Sequence, residues 1–249
     1  MYFRSLFARK TTESIIIGVT VLLMCHFSVA DLPSVISKCH LDGNLEKCAE
    51  QIINRIRPNV ASGDFGNGVK VPSLEPLLLN KLVINTPELN VTLRNLVVSG
   101  PSSYQVKSVK IDPAKLSFNI KTYTPLYSFT ALYNIRLKLG LIDIQGEGDM
   151  KGDLMGLNIH LRVQMAKQGN IVKLQKVQNR VKIDKGRFNF NNLFNGDKVL
   201  SQVGNDLINN ESPTLLKIVT PALEKQIREV HEHILSKLFK SVTYDELFL

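Results

Sequence analysis

Three cysteines and five histidines are the residues of this 249-residue chain best suited to redox or metal chemistry. His231 and His233 stand two apart in a helical pattern, so about 200° of rotation separates them and they cannot share a metal ion. His26 sits in an apolar N-terminal stretch, and His40 and His160 have no companion at ligand spacing. All five read as surface or rim residues. Gly146-Glu147-Gly148 with Gly152 lacks the Gly-x-Gly-x-x-Gly spacing and a helix N-terminus to meet phosphate, so these are turn or bulge glycines. Asp143, Glu147, Asp149 and Asp153 miss the calcium-loop spacing and read as polar turn residues. There is no Gly-x-Ser-x-Gly nucleophile elbow. The reading is therefore non-enzymatic, with no catalytic residue, metal site or cofactor.

The N-terminus sets the compartment. Arg4, Arg9 and Lys10 precede an apolar run from Ile15 to Met24, and Ser28-Val29-Ala30 supplies small residues for cleavage. This is the layout of a secretory signal peptide over residues 1–30, leaving a mature domain of residues 31–249 that is secreted, extracellular and soluble. The run is shorter than the about 20 residues of a membrane span. The alternative is an uncleaved anchor continuing through Phe27. Cys25 leaves with the peptide. Cys39 and Cys48 then form an even pair in an oxidising compartment, where a disulfide across the short loop would contribute about 2–3 kcal/mol. Two free thiols are the alternative. Losing Arg4, Arg9, Lys10 and Glu13 takes the net charge from +9 to +7. Lys and Arg are scattered singly, without interleaved aromatics, which argues against a nucleic-acid partner. The basic balance leaves room for transient membrane or receptor contact. A monomer is expected. Asn90-Val91-Thr92 and Asn210-Glu211-Ser212 are glycosylation sequons, and Pro213 should reduce use of the second.

Periodicity supplies the elements. Leu41 to Arg57 reads as a helix stopped by Pro58, Ala61 to Gly68 as a loop, and Val71 to Leu77 as a proline-punctuated extended segment. Strand signals follow to Phe190. They include Val91–Val98, Val106–Ile111, Lys115–Lys121, Leu132–Ile144, Leu157–Met165, Val172–Val177 and Arg180–Ile183, with a turn at Lys185-Gly186. In Leu132–Ile144, Ile135, Leu137, Leu139 and Leu141 share one face. Such one-sided alternation means antiparallel strands with one buried face. Lys198 to Asn209 reads as a short helix. Pro213 to Lys240 reads as a long amphipathic one, capped by Ser212, with Pro213 first and Pro221 either kinking it near Lys217 or starting it there. Glu224–Arg228, Lys225–Glu229 and Arg228–Glu232 are opposite charges at i,i+4. At 1.5 Å per residue it would be about 42 Å long. Its apolar face is expected to be wider in the first half, with the later half nearer a rim. A sheet must cover that face, which makes the fold α+β and elongated. Periodicity does not distinguish a filled interior from a hollow one.

Particular residues add more. The chain resembles the insect takeout / juvenile-hormone-binding protein family over nearly all of its mature length. The resemblance rests on Cys39…Cys48, Val71-Pro72-Ser73-Leu74-Glu75-Pro76-Leu77, Ala131-Leu132-Tyr133 and Gly146-Glu147-Gly148. It continues through Phe190-Asn191-Asn192-Leu193-Phe194-Asn195-Gly196-Asp197-Lys198-Val199-Leu200 with Asn205, and closes on Tyr244-Asp245-Glu246-Leu247-Phe248. The chain departs from the family at Glu211-Ser212, at Leu249, and in having no cysteines for a second disulfide, which favours the takeout-like branch. The resemblance implies a strongly curved antiparallel sheet wrapped around the long C-terminal helix, enclosing a hydrophobic tunnel. It implies a carrier of a long apolar ligand such as a juvenile hormone-like isoprenoid, a fatty acid or a related lipid. The tunnel wall would draw on Leu137, Leu139, Ile159, Leu161, Val163, Ile218, Ala222, Leu223, Ile227, Val230 and Ile234, with Tyr133 as the candidate head-group contact; a strand tyrosine at the sheet surface is the alternative. A membrane- or lipopolysaccharide-binding module and, less so, a small secreted esterase are the rival readings.

Overall fold

The computed structural model describes residues 32–248; the expected signal peptide and its cleavage point lie outside the described residues. Helices α1 (Leu45–Arg55) and α2 (Arg57–Ser62) lead into strands β1 (Leu77–Asn85), β2 (Leu89–Ser99), β3 (Gln105–Asp112), β4 (Ser117–Leu139), β5 (Ile142–Gln168) and β6 (Ile171–Phe190). Helices α3 (Lys198–Asn210), α4 (Ser212–Leu238) and α5 (Tyr244–Leu247) follow. One antiparallel sheet runs in the order β1-β2-β4-β5-β6, and β3 pairs with the first part of β4 where β2 has not yet joined it. The sheet curls into a half-barrel, with α4 along its concave side.

Several boundaries differ from the periodicity reading. Pro58 does not stop the helical region: it sits in the first turn of α2, where its missing N–H costs no hydrogen bond. The expected strand Leu132–Ile144 is a hairpin. β4 ends at Leu139, and Leu141 occupies the turn, fully exposed rather than inward. Conversely, Lys185-Gly186 is not a turn but lies within β6, and the glycines around Glu147 lie within β5.

The long strands hide because their inward faces switch parity. Thr124 pairs with Leu157 and Leu126 with Met155, leaving Pro125 opposite Gly156; the β5–β6 ladder likewise leaves Gly156 opposite Asp184. On one side of this line the buried residues are Thr124, Leu157, Ile159 and Val181; on the other they are Ala131, Tyr133, Leu154, Met150 and Phe188. β4, β5 and β6 therefore each change from even to odd inward positions, or the reverse, at this line. Pro125 brings no N–H to a ladder, and Gly156 holds φ +67, a left-handed conformation that a side chain disfavours.

The edge of β6 is closed by side chains rather than by a seventh strand. Asn205 and Asn209, one turn apart on α3, each accept from and donate to one strand residue, Phe190 and Phe188, at 2.8–2.9 Å. Glu224 of α4 accepts from the Val181 N–H at 2.8 Å. Glu224 also pairs with Arg180 at 3.6 Å instead of Arg228, which pairs with Glu232 at 3.6 Å. α4 starts at Ser212 itself, so that serine caps nothing, and the helix continues through Pro221. At the other end of the fold, the Cys39–Cys48 disulfide packs with Leu45, Val163, Met165 and Phe248, and Cys39 bridges to Phe248.

Candidate functional site

Between the concave sheet and α4 lies a cavity of about 340 Å³. Its walls come from α1, α2, the five strands β1, β2, β4, β5 and β6, and α4, where they extend from Leu215 to Leu238. That stretch of helix is about 35 Å long at 1.5 Å per residue. Burial along α4 is not graded from first half to second. Leu215 and Leu216 at one end and Ile234 and Leu238 at the other are buried, while Ile218 to His233 includes no buried residue. The middle of the helix faces open space inside the protein rather than close-packed atoms.

No lining residue is charged; nearly all are aliphatic or aromatic, with Tyr104, Thr122, Thr124, Tyr127, Gln226 and His231 as the main polar exceptions. Burial pushes the Tyr104 and Tyr127 phenols up to about 12, so both stay protonated. Tyr104 donates to the Ile53 carbonyl at 2.7 Å, fixing α1 over one end of the cavity. Among the described residues, no group of three His, Cys, Asp or Glu could hold a metal ion.

Of the tunnel residues expected from sequence, Ile159, Leu161, Leu223, Ile227, Val230 and Ile234 line the cavity. The remaining six sit elsewhere. Leu137 is fully buried in the large core cluster, Leu139, Ile218 and Ala222 pack against that cluster, and Val163 packs beside the disulfide. Tyr133, 2% exposed, is committed to another contact. Its phenol donates to the Asn191 carbonyl, and its ring meets Phe190 edge-on at 4.9 Å. This contact explains the glycines of β5. A Cβ on Gly146 would lie 2.9 Å from the Leu193 Cα, and one on Gly148 2.8 Å from the Asn191 oxygen. Asn192 then donates to the Glu147 carbonyl at 2.9 Å. Tyr133, the two glycines and Asn191-Asn192 form one lock between β4, β5 and the loop before α3.

His231 was expected at the surface or a rim, as were the other histidines. It lines the cavity instead, because β6 brings Asn179 against its ring at 3.2 Å. Burial lowers its pKa to about 4. Thr122 and Thr124 were missed because they fall inside what read as a gap between two strands. Their inward positions follow from Ile120 at period two, a signal that becomes visible once β4 is one strand. The walls given by Ile53 and Ile56 could have been found from the apolar face of the helix expected over Leu41–Arg57.

A curled antiparallel sheet closed over one long helix, with an uncharged cavity between them, defines the curled-sheet class of cavity proteins. The model described as haemolymph juvenile hormone binding protein matches residues 16–249, and the chain belongs to that family. It is 25% identical over 207 residues to the circadian clock-controlled protein daywake of Drosophila melanogaster, covering 74% of this chain and 78% of that protein. Identity to daywake of Drosophila yakuba is 26% over 197 residues, 72% of this chain and 75% of that protein. The crystal structure of Epiphyas postvittana Takeout 1 matches with a TM-score of 0.71 at 23% identity, over 86% of this chain and all but 1% of that one (99%), which shows a shared fold.

Proposed function

We propose that residues 31–249 are a secreted, non-enzymatic carrier that encloses a long hydrophobic molecule, a juvenile hormone-like isoprenoid, a fatty acid or a related lipid. The single observation behind this reading is the cavity of about 340 Å³ with no charged residue in its wall. It falls in the usual size range of ligand pockets, about 300–1,000 Å³. The mechanism is burial. Hiding roughly 400 Å² of apolar ligand surface contributes about 10 kcal/mol at about 25 cal/mol per Å². The cost of association removes several of these, leaving micromolar or tighter binding. Ile159, Leu161, Leu223, Ile227, Val230 and Ile234 are the proposed contacts. Leu137, Val163, Ile218 and Ala222 hold the walls behind them.

The disulfide agrees with an oxidising compartment. Asn90 is exposed at the start of β2, where a glycan would not disturb the core. No helix among the described residues is long and apolar enough to cross a membrane. The test is native mass spectrometry of the purified protein, followed by solvent extraction. The expected result is a bound small molecule that extraction removes, and rebinding of a fluorescent fatty acid or isoprenoid. An empty protein that binds neither probe overturns the proposal.

A further inference from the structure

α4 presents only two polar side chains to the cavity, Gln226 and His231. The protonation of His231 follows from its neighbours. With the Asn179 amide turned so that its nitrogen faces His231 Nδ1 and the Gln178 carbonyl, both at 3.2 Å, its oxygen meets the Arg228 backbone N–H at 2.8 Å. The opposite orientation sets oxygen against the Gln178 carbonyl oxygen and the amide nitrogen against an N–H, so it is rejected. Asn179 thus donates to Nδ1. A neutral imidazole with an accepting Nδ1 carries its proton on Nε2. Among the described residues, nothing accepts from that Nε2–H, and the ring lies on the cavity wall. On the sheet side, Thr124, 1% exposed, lines the same cavity, and its buried hydroxyl has no hydrogen-bond partner. Tyr127 lies near it, but the two do not meet in bonding geometry.

We propose that the His231 Nε2–H, set by Asn179, is a ligand-binding donor that selects a long apolar molecule bearing an uncharged oxygen acceptor, an ester, ketone or ether, over a free carboxylate. This rests on the carrier reading and narrows it. Two physical facts make the selection. A carboxylate buried here would meet no lysine or arginine in the wall, and an unpaired buried charge is very costly. A hydrocarbon filling the cavity would cover the Nε2–H and leave it unsatisfied, whereas a neutral carbonyl satisfies it and leaves no charge behind. Burial keeps the imidazole neutral, so it supplies no counter-charge at neutral pH.

The experiment is displacement of a fluorescent lipid at pH 7.4 by methyl palmitate, palmitate and hexadecane, with the wild type, His231→Leu and His231→Gln. The wild type should prefer the ester over hexadecane by about 3- to 10-fold, the worth of one hydrogen bond, and should also prefer it over palmitate. His231→Leu should bind ester and hexadecane alike. His231→Gln, which keeps an N–H donor, should retain part of the preference. The bound ester's carbonyl stretch should shift to lower frequency in the wild type and not in His231→Leu. Equal binding of all three probes by the wild type, or tighter binding of palmitate, overturns the proposal and leaves the carrier reading intact. Failure of every probe to bind overturns both. The wild-type comparison decides the matter even if His231→Leu does not fold.

Discussion

Tyr133 and His231 exchange the roles that their positions in the sequence suggest. In the sequence Tyr133 is a candidate head-group contact, with a strand tyrosine at the sheet surface as the alternative. Its phenol is instead spent on the Asn191 carbonyl. Tyr133→Phe should therefore destabilise the protein by about 1–3 kcal/mol, the cost of an unsatisfied buried acceptor, without changing affinity for a fluorescent lipid. Chemical denaturation beside a binding titration separates the two, and lost affinity at full stability would return the phenol to the ligand. His231 gives a second expectation, in pH. Its pKa falls from 6.5 in the unfolded chain to about 4 in the fold because burial disfavours the charged form. Between those values the unfolded state holds the extra proton, so its stabilising contribution is full above pH 6.5 and is lost as pH falls toward 4. The loss should reach about 3 kcal/mol. His231→Gln should flatten this part of the stability curve in denaturant titrations from pH 7.5 to 4. A histidine pattern cannot reveal this, because Asn179 lies 52 residues away in the chain.

At the scale of elements, the helices α3 and α4 and the inward faces near Leu157–Met165 were readable, since each carries a single unbroken period. β4 and β6 were not, because the inward parity reverses at Pro125, Gly156 and Asp184 and a pattern that changes phase looks like two strands with a gap. Gly156→Ala tests that line. It puts a side chain at φ +67 and a Cβ 2.3 Å from the Asp184 Oδ2, so a loss of about 1–2 kcal/mol is expected from the left-handed backbone alone. A thermal melt unchanged from wild type would show the line to be tolerant. The asparagine pair on α3 is a second element-level device. Asn209→Leu should leave the Phe188 N–H and carbonyl unpaired, destabilise by about 1–3 kcal/mol, and speed amide exchange at Phe188 more than in the centre of β5. The family motif around Asn191 to Asn205 was visible as residues. That it joins a loop, two glycines and a strand edge was not, because every one of those bonds is made between distant segments.

For the whole molecule, the disulfide ties the segment before α1 into the cluster that holds Phe248. Replacing both cysteines by serine should cost about 3 kcal/mol by loop entropy, read as a lower denaturation midpoint, with lipid binding retained once the protein is folded. The sequence by itself determined the antiparallel character of the sheet and the presence of one long amphipathic helix. These are local properties: period, charge and residue type are carried by neighbours in the chain. The cavity was decided only by the tertiary structure. An apolar period marks the side chains turned away from water without saying whether they meet other side chains or border a cavity, since the hydrophobic effect has no direction. The difference lies in how far the curled sheet stands from α4, which sums the twist of six strands, the parity line and the asparagine lock. The same distance decides that the middle of α4 borders space while its ends are packed, and that one neutral histidine stands on that border with a proton to donate.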